Sequence, residues 1–313
     1  MKVLFIDSVH LILAERLSEA GYSCIDGTKM SLEECQTEIT DVSGIVVRSR
    51  FQMSASFLSR AKKLKFIARS GAGMENIDID YCRQNNIELY NAPEGNRNAV
   101  GEHALGMLLS LFNRLHLANQ EVKTGVWDRE GNRGIELDAK TVGIVGYGNN
   151  GSAFAKKLKG FDVEVLAYDK YKSDFGNEFV KESTLDEIFK KCDVVSFHIP
   201  QNEETVCFAD NKFFDSFEKS IFLINLSRGK IVQTAALVSS LKNGKVLGAC
   251  LDVLEFEKSS FESLFDNQEK LDVNFQYLLD SDKVLLSPHV GGWTVESYFK
   301  LSAILADKIL SNS

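Results

Sequence analysis

The chain has 313 residues, 44% apolar and 26% charged, which is enough for two hydrophobic cores and ordinary for a soluble globular protein. Its formal net charge of −8 speaks against nucleic acid or an anionic membrane as a main partner, because both reward basic surface; a small anionic substrate needs only a local cluster of arginines. Met1-Lys2-Val3-Leu4-Phe5-Ile6-Asp7 is too short and too soon acidic for a signal peptide, and no apolar run approaches the roughly 18–20 residues of a membrane span, so a cytoplasmic protein is expected. Six scattered cysteines with no C-x-x-C pair read as buried thiols of a reducing compartment.

Strand-like and helical runs alternate from the start. Val3–Ile6 reads as a strand, His10–Ala20 as a helix ended by Gly21, Gly44–Val47 as a strand, Ser54–Lys63 as a helix, and Leu64–Ala68 as a third strand. Asp80–Asn85 is a short helix, Ile87–Tyr90 a strand, and residues 99 to about 125 one long helix with Leu105, Leu108, Leu109 and Phe112 on one face. The pattern restarts with the strand Thr141–Val145, the helix Asn150–Lys159 and the strand Val163–Ala167. It continues through a helix Leu185–Lys190, strands Val194–Phe197 and Ile221–Asn225, a helix Ala235–Leu241 and strands Val246–Leu251 and Val284–Leu286. A last helix is read over Val295–Leu310. Two successive β-α-β series imply two α/β domains with doubly wound parallel sheets. Pro93, Pro200 and Pro288 each follow a strand, where a loop is expected.

Gly146-x-Gly148-x-x-Gly151 joins the apolar strand Thr141–Val145 to a helix. In a dinucleotide site the first glycine permits the tight turn, the second lets a pyrophosphate approach the backbone, and the third lets helix and strand pack closely. The bare glycine pattern also fits a ligand-free turn. Asp169, which ends the next strand, adds a carboxylate where ribose hydroxyls would donate, and it favours NAD over NADP. Lys170 and Lys172 stand against that preference.

Three later strand ends carry chemistry: Asn225-Leu226-Ser227-Arg228-Gly229, Asp252 with Glu257 five residues on, and Ser287-Pro288-His289-Val290-Gly291-Gly292. A carbinol that loses a hydride must also lose its hydroxyl proton, and His289 is the candidate base. Glu257 would fix the imidazole tautomer, with Glu255 as a competing choice. Arg228 would hold a carboxylate and polarise the reacting oxygen.

With these segments the chain resembles the D-isomer-specific 2-hydroxyacid dehydrogenase family along nearly its whole length. The resemblance implies a flavodoxin-like substrate domain (residues 1–97 plus 289–313), a Rossmann NAD-binding domain (98–288) and a homodimer. It implies Arg228, Glu257 and His289 as the catalytic set. NAD would touch Gly146, Gly148, Asn149, Asn150, Gly151, Asp169, Leu226, Ser227, Arg228, Asp252, His289, Val290, Gly291 and Gly292. Val46-Val47-Arg48-Ser49-Arg50, Arg69-Ser70-Gly71-Ala72-Gly73 and Asn91-Ala92-Pro93 are most similar to the branch that oxidises 3-phospho-D-glycerate. On that basis Arg48, Arg69, Ser70 and Gly71 join Arg228 and His289 as substrate-binding residues; surface arginines in salt bridges are the plain alternative for Arg48 and Arg69.

Other members that share these segments reduce glyoxylate, hydroxypyruvate or pyruvate, and some proteins of this fold sense NAD as corepressors. Within the resemblance Asn150 replaces an aliphatic residue, Lys258 a proline, and Trp293 a small residue, so that Trp293 reads as an aromatic wall near the nicotinamide. The stretch from Glu257 to Asp282 reads as a long loop, and the regulatory extension of longer members is not expected. No metal site is expected. His103 and His198 read as structural histidines.

Overall fold

The computed structural model describes residues 1–257 and 272–312. The end-on-end reading of the Glu257–Asp282 loop, Lys258 included, falls outside the described residues over 258–271. In chain order the elements are β1 (Lys2–Phe5), α1 (Ile12–Glu19), β2 (Ser23–Asp26), α2 (Leu32–Glu38), β3 (Gly44–Val47), α3 (Ala55–Leu58), β4 (Phe66–Arg69), α4 (Ile79–Gln84), β5 (Glu88–Asn91), α5 (Pro93–Phe112) and α6 (Leu115–Lys123). They continue with β6 (Thr141–Val145), α7 (Asn149–Lys157), β7 (Glu164–Tyr168), β8 (Val180–Glu182), α8 (Leu185–Lys191), β9 (Val194–Phe197), α9 (Asn211–Asp215), β10 (Ile221–Asn225), α10 (Thr234–Asn243), β11 (Val246–Leu251), α11 (Val273–Asp280), β12 (Val284–Leu286) and α12 (Val295–Ser311).

Two compact units divide the described residues: 1–97 with 293–312, and 98–257 with 272–292. The second crossing thus falls between Gly292 and Trp293, where 288/289 was expected, and His289–Gly292 go with the larger unit. In the first unit the strands run in the order β2-β1-β3-β4-β5, all parallel. This is the flavodoxin-like order. β3 is buried at every residue, as a central parallel strand covered by helices on both faces must be. Leu4, Ile6, Ile45, Val47 and Ile67 pack on one face, and Val3, Phe5, Val46, Phe66 and Ala68 on the other, where α12 adds Leu301, Leu305 and Ile309.

In the second unit the order is β12-β11-β10-β9-β6-β7-β8, again parallel throughout. The sequence of strands reverses at β6, between β7 and β9, and this switch point is where doubly wound sheets open a ligand crevice. Asn225 of β10 pairs in register with Leu251 of β11, and Leu251 pairs with Leu286 of β12. Three strands therefore end in one row, and the loops that leave them lie side by side.

Several boundaries differ from expectation for visible reasons. The long helix is two, broken where Arg114 takes a left-handed backbone (φ 51°) and Asn113 folds its side-chain amide back onto the Leu109 carbonyl. Pro93 opens α5 instead of a loop, a position where its missing N–H costs nothing. α3 stops at Leu58 because the following residues tighten into successive turns that bury both Ala61 and Leu64. Part of the expected loop before His289 is the helix α11, capped by the Asp272 carboxylate. Four of the six thiols are buried, but Cys24 is half-buried and Cys207 is exposed. Among the described residues no helix is long and apolar enough to cross a membrane.

Candidate active site

The glycine turn forms as its spacing requires. Gly146 has φ 96°, and a methyl there would sit 2.7 Å from the His198 carbonyl oxygen. A methyl on Gly151 would meet the Gly146 carbonyl oxygen at 2.0 Å, so helix and strand touch only because no side chain intervenes. At Gly148 the same methyl would meet nothing. Gly148 is also the N-cap of α7 with no side chain capping the helix, so the helix start faces open space. Asn150 begins the second residue of that helix, and its side-chain oxygen is buried without a partner among the described residues.

Asp169 accepts from the backbone N–H of Tyr147 (2.8 Å) on one carboxylate oxygen and from that of Tyr171 (3.0 Å) on the other. Each oxygen keeps acceptor capacity for a further donor. A cavity of about 220 Å³ opens beside it, lined by Gly148, Asp169, Ile199, Pro200, Thr205 and Phe208 among others. Two cations lie near, and both are engaged: Lys170 pairs with Glu204 (2.6 Å), and Lys172 donates to the Tyr147 carbonyl (3.3 Å). His198 shares a hydrogen bond between Nε2 and the Ser196 hydroxyl (2.8 Å), Nδ1 finds no partner among the described residues, and desolvation pushes its imidazole down to about 3.

The loops after β10, β11 and β12 lock together. Asn225 organises the first: its amide donates to the Arg228 carbonyl (3.0 Å) and its side-chain oxygen accepts from the Ser227 backbone N–H and hydroxyl. Arg228 turns its guanidinium back toward the Ser227 carbonyl (2.7 Å). Gly229 then passes so close to the second loop that a methyl would lie 1.9 Å from the Leu254 carbonyl oxygen.

Leu254 is where Glu257 is fixed. The Glu257 N–H donates to the Leu254 carbonyl, and one Glu257 carboxylate oxygen accepts from the Leu254 N–H. The other lies 2.7 Å from Nδ1 of His289, with both side chains about four-fifths buried. Glu255, the competing choice, accepts from the Thr234 N–H and caps α10 instead.

The third loop hangs on Asp252, 2% exposed. Its carboxylate accepts from the Ser287 hydroxyl (2.6 Å) and from the N–H groups of Val290 (2.9 Å) and Gly291 (2.7 Å), and its carbonyl accepts from the His289 N–H (2.8 Å). These bonds hold His289 at φ 54°. His103 adds Nε2 at 3.0 Å from the Ser287 hydroxyl. Asp252, expected as a cofactor contact, braces the turn that carries His289, and His103, expected as a structural packing and hydrogen-bonding residue, joins that brace through Ser287. The apolar N-terminal half of that signal, Ala249-Cys250-Leu251, located the strand but gave no sign of this brace. Among the described residues no three His, Cys, Asp or Glu side chains gather as a metal cluster.

In the first unit Asp7, at the end of β1, accepts from the backbone N–H groups of Arg48, Ser49 and Arg50, which sequence reasoning missed. Arg50 spends its guanidinium on the carbonyls of Ile6, Gly27 and Met30. Arg69 donates Nε to the Arg48 carbonyl (3.2 Å), and its side chain crosses Gly71, where a methyl would meet Nη1 at 1.6 Å. Ser70 is buried beside them. Arg48, Arg69, Ser70 and Gly71 are thus brought together. Trp293 packs on Arg48, with its ring centre 3.9 Å from the guanidinium carbon.

Residues 105–291 match the family model described as D-isomer specific 2-hydroxyacid dehydrogenase, NAD binding domain. The chain belongs to this family. It is 32% identical to a hydroxypyruvate reductase of Thermotoga maritima over 279 residues, 88% of this chain and 87% of the relative. It is 34% identical to a D-3-phosphoglycerate dehydrogenase of Archaeoglobus fulgidus over 99% of its own length and 57% of the relative's, so it spans little more than half of that protein. Among solved structures, the D-lactate dehydrogenase of Aquifex aeolicus, described as a complex with NAD and lactic acid, superposes with a TM-score of 0.84. The two are 26% identical, and the match covers 100% of this chain and 95% of the other. Membership in the family agrees with both observed strand orders and with a Rossmann NAD-binding domain as the second unit.

Proposed function

We propose that the chain is an NAD-dependent D-2-hydroxyacid dehydrogenase that oxidises 3-phospho-D-glycerate to 3-phosphohydroxypyruvate, the first step toward serine. The observation that carries this reading is the Glu257–His289 pair, held by loops that also fix Arg228, in the unit that matches the family's NAD binding domain.

The residues present fit the cofactor. The uncapped start of α7 and the open space at Gly148 suit a pyrophosphate, and Asp169 suits the adenosine ribose, with the adjoining cavity for the base. The nicotinamide, when bound, supplies or accepts the hydride. The protein handles the proton and the substrate's charges. Glu257 engages Nδ1 of His289, which supports Nε2 as the atom that exchanges the proton with the substrate hydroxyl. The pair is anchored on both sides, by Leu254 and by Asp252, so the imidazole is oriented before substrate arrives. Arg228 holds the substrate carboxylate and polarises the oxygen that gains or loses the proton. Arg48 and Arg69 take the phosphate.

The runner-up is a glyoxylate or hydroxypyruvate reductase, favoured by the near-complete coverage of the Thermotoga relative. Following NADH absorbance with phosphohydroxypyruvate, hydroxypyruvate, glyoxylate and pyruvate separates the two. The expected outcome is a preference for phosphohydroxypyruvate, with Arg48→Ala and Arg69→Ala each raising its KM roughly 10- to 100-fold, the value of a lost charge-assisted hydrogen bond. The KM for glyoxylate should hardly move. Equal effects on both acids would refute the phosphate assignment, and turnover no higher than that of His289→Ala would refute the dehydrogenase.

A further inference from the structure

Trp293 is the first residue of the chain's return to the first unit and directly follows the Gly291-Gly292 turn. Its indole is 46% exposed, and one of its faces is covered by Arg48. The guanidinium carbon lies 3.9 Å from the centre of the ring, well inside cation–π range.

Two features make this contact more than surface packing. First, the Arg48 main chain is fixed at both ends of the residue: Asp7 accepts from its N–H at 2.6 Å, and Arg69 donates to its carbonyl. The Trp293 ring in turn meets Tyr298 edge-on at 5.3 Å, Tyr298 meets His10 at 5.6 Å, and the His10 N–H donates to the Ser302 hydroxyl on α12. The stack is therefore anchored to β1 on one side and to α12 on the other. Second, the Arg48 guanidinium is half-buried and forms no ion pair among the described residues; the Asp7 carboxylate, bonded to the Arg48 main-chain N–H, acts on it only at longer range. The ring contact involves its π face and consumes none of its five N–H donors.

We propose that Trp293 is a positioning residue for substrate selection: its indole holds the Arg48 guanidinium in one orientation, ready for a divalent oxyanion. The chain thereby prefers a 2-oxo or 2-hydroxy acid with a second, phosphate-like group over a plain monocarboxylate. This inference rests on the dehydrogenase reading and names the residue that sharpens its substrate class. A lone flexible arginine would bind the same anion, but it would lose side-chain freedom in doing so. The stack removes that freedom beforehand.

The test has two arms on the full chain. In turnover, Trp293→Ala raises the KM for phosphohydroxypyruvate roughly tenfold, in line with a lost cation–π contact, while kcat and the KM for glyoxylate stay within about twofold; Trp293→Phe recovers part of the loss. The same fold-change on both acids, or none on either, overturns the proposal. In binding, the chain has two tryptophans, so Trp127→Phe leaves Trp293 as the only one. Inorganic phosphate should then change its emission saturably, and adding Arg48→Ala should abolish the change. A flat titration overturns the proposal whatever the turnover. A saturable response in a protein that reduces none of the acids supports the anion platform and counts against the dehydrogenase reading instead.

Discussion

Gly229 is the residue through which the loop of Arg228 leans on the loop of Glu257, and Gly229→Ala tests that coupling. The added methyl would lie 1.9 Å from the Leu254 carbonyl oxygen, 2.1 Å from its carbonyl carbon and 2.7 Å from the Glu255 nitrogen. All three are backbone atoms, so no rotamer change relieves the clash. The loops must part by roughly 1 Å, and overpacking of this kind costs about 1–3 kcal/mol. Leu254 makes both backbone contacts that fix Glu257, so moving Leu254 carries the carboxylate with it. The Glu257–His289 separation of 2.7 Å has little room before the hydrogen bond is lost. A misplacement of about 1 Å in a catalytic group costs on the order of 100-fold in rate. The expected result is thus a folded protein with a modestly lower Tm and kcat reduced about 100-fold in the NADH absorbance assay. Gly160→Ala is the control, since a methyl there meets nothing within 4 Å. If Gly229→Ala keeps wild-type kcat, the three loops are not mechanically linked and the reasoning fails.

Glu204 holds Lys170 (2.6 Å) and the Tyr171 hydroxyl (2.7 Å) at the edge of the cavity beside Asp169. Glu204→Gln frees the ammonium for a 2′-phosphate, so kcat/KM for NADPH should rise by roughly threefold to tenfold with NADH nearly unchanged; a parallel change in both would refute a role in cofactor choice. His198 gives a pH signature. Its imidazole is pushed down to about 3 in the folded chain, whereas an unfolded chain protonates it near 6.5. Its contribution is therefore complete above pH 6.5 and falls as the pH drops toward 3, because the unfolded state takes up the proton first, by at most about 1.4 kcal/mol per pH unit. Urea midpoints at pH 7 and pH 5 should differ more for the native protein than for His198→Gln, and equal differences would exclude the effect.

The strands most legible in the sequence are those buried on both faces. Gly44–Val47, Thr141–Val145, Val194–Phe197, Ile221–Asn225 and Val246–Leu251 are the observed strands residue for residue, because an unbroken apolar run has one good place in a parallel sheet; the edge strand Val284–Leu286 was read in full because all three of its residues are apolar. The edge strands β2 and β8 went unread: Ser23–Asp26 is half polar and Val180–Glu182 more than half, as an edge permits. The glycine turn was legible because Gly146 and Gly151 answer to close approaches that no side chain allows, while Gly148 keeps open space at the helix start. Trp293 was legible as an aromatic intrusion but not as the partner of Arg48, since the two are 245 positions apart and nothing local links them. The bracing of His289 by Asp252, Ser287 and His103 was hidden for the same reason: it joins three distant segments through the register of β11 with β12 and the placement of α5.

The backbone at His289 has a further consequence. A left-handed conformation (φ 54°) costs a residue with a side chain on the order of 1 kcal/mol, and glycine or asparagine would adopt it more easily. Folding alone would therefore not choose histidine at this position. The chain spends three hydrogen bonds to Asp252 and its carbonyl to keep an uncomfortable residue in place. The strain is held by the same Asp252 contacts that fix the turn from which the imidazole meets Glu257.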